Sequence, residues 1–246
     1  MKASARTEGY IYELSFSRSG GMLAGACGDD LVYLWRAETG ELVQTLEGHQ
    51  DRVTAIQYSP DGNLIASGSS DKTVRLWRAE TGELVQTLEE HLYGICSLTF
   101  SPDSKTLATG SSAGRIRVWD AATGDLKYEI KAHEHCALAI DYSPNGSVFA
   151  SGGYLPPIRI WDAATGEPAG ELNYERRAVH GLSYSPDGKT LASGGDDGVI
   201  LLWNLNLPIQ WSDAKRPNSP LFRNALLPNY PNPFNPETWI PFDLAK

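Results

Sequence analysis

Histidine, serine or threonine, aspartate and tryptophan recur together along this chain. Converged in one pocket, such side chains could supply a nucleophile, a general base and an orienting acid. His49, His91 and His133 lie 42 residues apart. Ser67, Thr109, Ser151 and Ser193 keep the same step, as do Trp35, Trp77, Trp119, Trp161 and Trp203. Asp29, Asp71 and Asp197 occupy a further shared position. A catalytic set is needed once, in one cleft. A set repeated once per unit is read as tying each unit together. His135 and His180 break the period. His180 falls inside 178–184, at the position of Tyr12, Thr54, Cys96 and Leu138, and is expected to be a packed strand residue. The glycines at 194–198 (GGDDG) mark a turn between strands, not a phosphate loop. Cys27, Cys96 and Cys136 are an odd, uneven set without metal-ligand spacing, and buried apolar roles are expected for them. No catalytic residue, cofactor or metal is expected.

The elements that carry these residues follow from one unit, SPDGNLIASGSSDKTVRLWRAETG at 59–82. Pro60-Asp61-Gly62 is a turn, with Pro presetting one dihedral and Gly accepting a positive one. Residues 64–67 form a short apolar strand, and 68–72 a second turn. Residues 73–77 alternate as a half-buried strand does. Residues 79–82 turn again before a strand at 83–88, and 53–58 completes the unit. Four short strands in 42 residues leave no room for a long helix. A second marker, Ser17, Ser59, Ser101, Ser143 and Ser185, runs parallel to the tryptophans. This period, with Trp ending a strand, predicts an all-β propeller of five recognisable four-stranded repeats.

The pattern closely resembles the WD40 repeat family over residues 9–205. That family ties each blade with His, Ser or Thr, Asp and Trp. Repeat two matches in full through Gly48-His49, Ser67, Asp71 and Trp77. Such a chain would satisfy polar groups buried by the loops. Repeat one has Asp29 and Trp35, but Gly25 and Thr7 replace Ser and His. Repeat three has His91, Thr109 and Trp119, with Ala113 for Asp. Repeat four has His133, Ser151 and Trp161, with Leu155 for Asp before Pro156-Pro157. Repeat five has Ser193, Asp197 and Trp203, with Glu175 for His. The resemblance implies a bacterial propeller acting as a non-enzymatic scaffold for a protein or peptide. Members of the family most often have seven blades. Three readings of closure stand open: a fragment of a longer propeller, which is the first choice, a closed ring of five, or an open arc that pairs with another chain. Self-association through open strand edges is the expectation attached to the last.

The chain has 246 residues, with 41% hydrophobic and 21% charged. A net charge of −9 argues against unspecific nucleic-acid binding and against an anionic membrane surface. No apolar run reaches the length of a membrane span, and the N-terminus lacks the apolar core of a signal peptide. Residues 206–223 read as a linker, with 209–211 as a weak further strand. Residues 224–246 (NALLPNYPNPFNPETWIPFDLAK) are proline-kinked and lead into a strand at 238–244. They resemble the opening of the immunoglobulin-like C-terminal sorting domain of the type IX secretion system, here expected to be truncated. A complete domain of that kind would imply the cell surface, and its lack the cytoplasm. An exported adhesion module is therefore one alternative function. An enzyme or enzyme accessory using the central channel is another.

Two loop positions per repeat are expected on one face. The first holds Tyr10, Arg52, Gly94, Cys136 and Ala178, with Glu8, Gln50, Leu92, Glu134 and Arg176 two residues earlier. The second holds Gly28, Ser70, Ser112, Tyr154 and Asp196. By residue type, Tyr10, Arg52, Tyr154, Arg176, Arg177 and Asp196 are the candidate partner-binding set.

Overall fold

A computed structural model describes residues 7–89, 91–173 and 178–205. Blade 1 holds β1 (Ile11–Phe16), β2 (Met22–Cys27), β3 (Val32–Arg36) and β4 (Leu42–Leu46). Blade 2 holds β5 (Val53–Tyr58), β6 (Leu64–Ser69), β7 (Val74–Arg78) and β8 (Leu84–Leu88). Blade 3 holds β9 (Ile95–Phe100), β10 (Thr106–Ser111), β11 (Arg115–Asp120) and β12 (Leu126–Lys131). Blade 4 holds β13 (Ala137–Tyr142), β14 (Val148–Gly153), β15 (Ile158–Asp162) and β16 (Pro168–Leu172). Blade 5 shows β17 (Val179–Tyr184), β18 (Thr190–Gly195) and β19 (Ile200–Asn204). Each sheet is an antiparallel meander in chain order. Among the described residues no helix is long and apolar enough to cross a membrane. Glu175, Arg176, Arg177, the weak strand at 209–211, the linker and the tail with its strand at 238–244 lie outside the described residues.

The serine marker closes the turn at one end of each blade. Ser59 Oγ donates to Asp61 Oδ1 at 2.6 Å and accepts from Leu64 N at 2.9 Å. Ser101 with Asp103, Ser143 with Asn145 and Ser185 with Asp187 repeat the contact. Gly62 takes a φ of 83°, the conformation that excludes most side chains. At the other end, a register shift recurs in each inner strand, as between Val53 and Ala55. Such a bulge bends the strand as it leaves the loop.

Interior blades are buried on both faces, so their second strands are continuous runs of small and aliphatic residues: LIASGS, TLATGS and VFASGG. The back of one blade packs on the front of the next. Ala24, Ala26, Val32, Leu34 and Leu46 of blade 1 meet Val53, Ile56, Tyr58, Ile65 and Trp77 of blade 2. The same arrangement recurs between blades 2 and 3, 3 and 4, and 4 and 5. The small residues are required by the approach. A Cβ on Gly68 would stand 2.5 Å from Ile95 Cγ2, and one on Gly152 would stand 2.6 Å from Val179 Cγ1.

Polar side chains stitch the same interfaces. Tyr58 N donates to Ser15 Oγ at 3.0 Å, Phe100 N to Gln57 Oε1 at 2.6 Å, and Tyr184 N to Asp141 Oδ2 at 2.7 Å. Ser15, Gln57 and Asp141 share one repeat position. On the outer strands, Gln44 Nε2 reaches Thr81 O at 3.2 Å and Gln86 Nε2 reaches Thr123 O at 2.9 Å, each in the following blade.

The inner strands contact in succession, β1 with β5, β9, β13 and then β17, and β17 forms no comparable interface with β1. The described blades are therefore an open arc, and the closed ring of five is corrected. Its ends present sheet faces, because blades stack face to face. Two side-chain expectations also change. Cys96 and Cys136 are joined as a disulfide rather than buried as separate apolar residues, while Cys27 is free and buried. A residue on one inner strand faces the start of the next inner strand, which puts partners 40 residues apart within reach. Thr54 uses the same relation to donate to Ile95 O at 2.7 Å. His180 is exposed rather than packed, as is Tyr12 at the same position of blade 1.

Asp141 links this packing to pH. Burial pushes its carboxyl up to about 6, against hydrogen bonds from the Tyr184 and Tyr142 backbone. A carboxyl raised in the folded state favours folding below its unfolded value of 3.8, and loses that contribution as pH rises through about 6. Asp141→Asn keeps an oxygen for Tyr184 N but does not titrate. Its stability relative to the parent chain should rise by about 1–3 kcal/mol from about pH 4 to pH 7. Denaturant unfolding at both pH values checks this, and a pH-independent difference would refute it.

Candidate functional site

In blade 2 the four side chains picked out by their spacing converge. Asp71 Oδ2 lies 2.9 Å from His49 Nδ1, and His49 Nε2 lies 2.8 Å from Ser67 Oγ. Trp77 Nε1 donates to the same Ser67 Oγ at 2.8 Å. With Asp71 taking the Nδ1 proton, Nε2 accepts from the Ser67 hydroxyl. Asp71 also accepts from Gln50 N at 2.9 Å and from Thr73 N and Oγ1 at 2.8 and 2.7 Å. Burial pushes the Asp71 carboxyl up, but the bonds from Gln50, Thr73 and His49 outweigh it and hold it down to about 2. Burial lowers His49 in spite of Asp71. Gly48 is the residue the adjoining loop needs. Its φ is 143°, and a Cβ there would collide with the Arg75 guanidinium.

The connectivity is that of a hydrolytic triad, but Ser67 is fully buried and its oxygen is capped by the indole. No substrate carbonyl can approach it, so the set ties the blade's loops together. Blades 3 and 4 keep the inner half. His91 Nε2 is 3.0 Å from Thr109 Oγ1, and Trp119 Nε1 donates to that oxygen at 2.9 Å. His133 Nε2 is 2.9 Å from Ser151 Oγ, which accepts from Trp161 Nε1 at 2.8 Å. Burial, with Arg117 beside it, pulls His91 down to about 3; burial, Arg159 and Lys131 pull His133 down to about 4. Both rings are neutral near pH 7 and too weakly basic for proton abstraction there. With Ala113 in place of Asp, His91 Nδ1 is buried without a partner among the described residues.

Blades 1 and 5 depart further. In blade 5, Trp203 Nε1 donates to Ser193 Oγ at 2.8 Å, and Asp197 Oδ1 accepts from Val199 N at 2.9 Å. In blade 1 the Asp29 carboxylate takes the Tyr33 hydroxyl at 2.8 Å, and Tyr33 stacks on Trp35 with centroids 5.6 Å apart. Trp35 lies over Gly25, filling the place of the missing serine. Burial and Asp29 push the Tyr33 phenol up to about 12. Sequence reading missed Tyr33 and Thr73. Tyr33 stands where other repeats have Arg75, Arg117 and Arg159, and Thr73 lies two residues past Asp71. Those were the available signals.

These ties hold the loops of one end side by side. Gly28 N donates to Tyr10 O at 2.9 Å, Ser70 N to Arg52 O at 3.0 Å, Ser112 N to Gly94 O at 2.9 Å and Asp196 N to Ala178 O at 3.4 Å. Tyr10, at 84% exposure, and Arg52 project from the first position, and Tyr154 and Asp196 from the second. The neighbouring Tyr12 and Asp51 side chains raise the Arg52 guanidinium above its usual range. Asp196 Oδ1 lies 2.6 Å from His180 Nε2. Three exposed residues not assigned to this surface from the sequence join it: Tyr12, Tyr93 and Leu155, beside Leu92. Arg176 and Arg177 lie outside the described residues.

Two substitutions test the ties. Asp71→Ala strands His49 and two backbone donors and should cost about 1–3 kcal/mol. Ala113→Asp gives His91 Nδ1 the partner it lacks and should add about 1 kcal/mol. Denaturant unfolding of both variants checks this. A neutral Asp71→Ala would remove the assigned role.

Comparisons with known proteins agree with the geometry. Over 42 residues the chain is 45% identical to a probable serine/threonine-protein kinase PkwA of Thermomonospora curvata. That stretch is 17% of this chain and 6% of the kinase. A model of the WD domain, G-beta repeat, matches residues 166–204. A model of the IFT122 first beta-propeller matches residues 10–154, more than half of the chain. With its repeated Trp–Ser–His ties and stacked four-stranded blades, the chain belongs to the WD40-repeat β-propeller family.

Proposed function

We propose that this propeller is a non-enzymatic scaffold that docks a protein or peptide on the loop end of its blades. WD40 propellers generally serve as protein-interaction scaffolds. The observation that carries the reading here is the exposed set Tyr10, Tyr12, Arg52, Tyr93 and Tyr154 at the loop end, where the blade 2 tie and the backbone bonds from Gly28, Ser70 and Ser112 hold the loops of blades 1 to 3 in place. Aromatic and arginine side chains dominate the energy of protein interfaces. Rigid loops reduce the ordering that binding must offset. The triad-like set supports the same reading, since its serine is sealed and its neighbouring histidines are neutral.

The opposite end offers a control. Its turns carry Asp61, Asp103, Lys105 and Asp187, and their carboxylates are occupied by their own loops. Peptides selected from a displayed random library against the folded chain should lose at least about tenfold in affinity on Arg52→Ala or Tyr154→Ala, a change of about 1.4 kcal/mol. Lys105→Ala should leave binding unchanged. Selected binders that ignore both loop-end variants and respond to Lys105→Ala would overturn the proposal.

A further inference from the structure

The two ends of the arc are unmatched halves of an interface that the chain makes four times within itself. At the front of blade 1, Leu14 is 53% and Phe16 62% exposed. Their counterparts Ile56 and Tyr58 are 1% and 6% exposed, because they pack on the blade before. At the back of blade 5, Ile200 is 72% exposed, while its counterparts Val74, Ile116 and Ile158 are fully buried under the blade that follows. No described residue comes within 4 Å of a Cβ built on Gly194. Its counterparts Gly68, Gly110 and Gly152 are each filled by the next inner strand.

The polar half of the interface is also divided between the ends. Ser15, Gln57 and Asp141 each accept the backbone N–H of the aromatic residue in the following blade, at Tyr58, Phe100 and Tyr184. Ser183 occupies the accepting position in blade 5. The aromatic residue without a described blade before it is Phe16. One end thus carries the knobs and the donor, and the other carries the hollow and the acceptor.

We propose that the front of blade 1 docks on the back of blade 5 of a second copy of this chain. In that contact Leu14 and Phe16 cover Gly194 and Ile200, and Ser183 Oγ accepts from Phe16 N, continuing the internal blade–blade interface across two molecules. The contact is heterologous, so it leaves a free front and a free back unless the assembly closes. It is independent of the loop-end surface, whose substitutions leave it intact.

Light scattering and sedimentation of the full chain over a wide dilution series test this. The expected result is a mass that grows with concentration beyond the 26.8 kDa of one chain. The double variant Leu14→Asp/Phe16→Asp blocks the front, and Gly194→Leu/Ile200→Asp blocks the back. Each should remain monomeric, and mixing them should give a 1:1 complex through the faces left intact. The milder single changes Leu14→Lys and Ile200→Lys repeat the mixing test if either double variant loses its cooperative melting. A parent chain that stays monomeric at every concentration overturns the proposal, whether residues beyond 205 or another chain cover the faces. Association that survives both blocks, or monomeric variants that do not combine, also overturns it.

Discussion

The structure depends on a sheet that is apolar on both faces. Such a sheet cannot be half solvated in the way of an amphipathic hairpin, so each blade needs a neighbour in front and behind. Everything else follows from keeping that stack close. Glycine and alanine in the second strands let the next inner strand approach, and the bulky residues alternate to the side that fills the gap. Ser15, Gln57 and Asp141 cap backbone donors that the inner strand turns toward its neighbour.

The buried polar ties are secondary to that packing, and their variety shows it. Blade 2 has the whole relay from Trp77 to Asp71. Blades 3 and 4 lack the aspartate, and blade 1 substitutes a Tyr33–Asp29 contact and an indole over glycine. All of them form the same four-stranded meander. What the tie governs is the loop end, where it fixes two turns against each other. Losing an aspartate frees that turn to carry something else. In blade 4 the turn presents Tyr154 and Leu155 to solvent.

The fold was legible because two independent markers keep one period, and because turn chemistry and strand alternation agree with it. β5 has its expected bounds, β6 runs two residues further to Leu64–Ser69, and β7 and β8 begin one residue later than expected. The blade 2 cluster was legible for the same reason. Contacts between repeats were not. The pairing of Cys96 with Cys136 depends on knowing that one inner strand faces the start of the next, which no single repeat contains. His180 was misjudged because its position lies at the loop end of the inner strand, where Tyr12 is exposed and Thr54, Cys96 and Leu138 are only half-buried. Tyr93 and Leu155 were missed because exposure is decided by loop path, not by residue type.

The segments Leu34–Glu47 and Leu76–Glu89 are identical in sequence and fold alike, with β4 and β8 sharing one burial pattern. During folding the chain therefore holds two interchangeable copies of a blade's outer half and two places to lodge them. Strand pairing and hydrophobicity do not distinguish the places. The few residues that differ must do so. Trp77 needs the oxygen of Ser67, whereas Trp35 needs the emptiness of Gly25 and the flat ring of Tyr33. The departures from the repeat thus act as address labels, letting a nearly periodic chain find one register among several of similar energy.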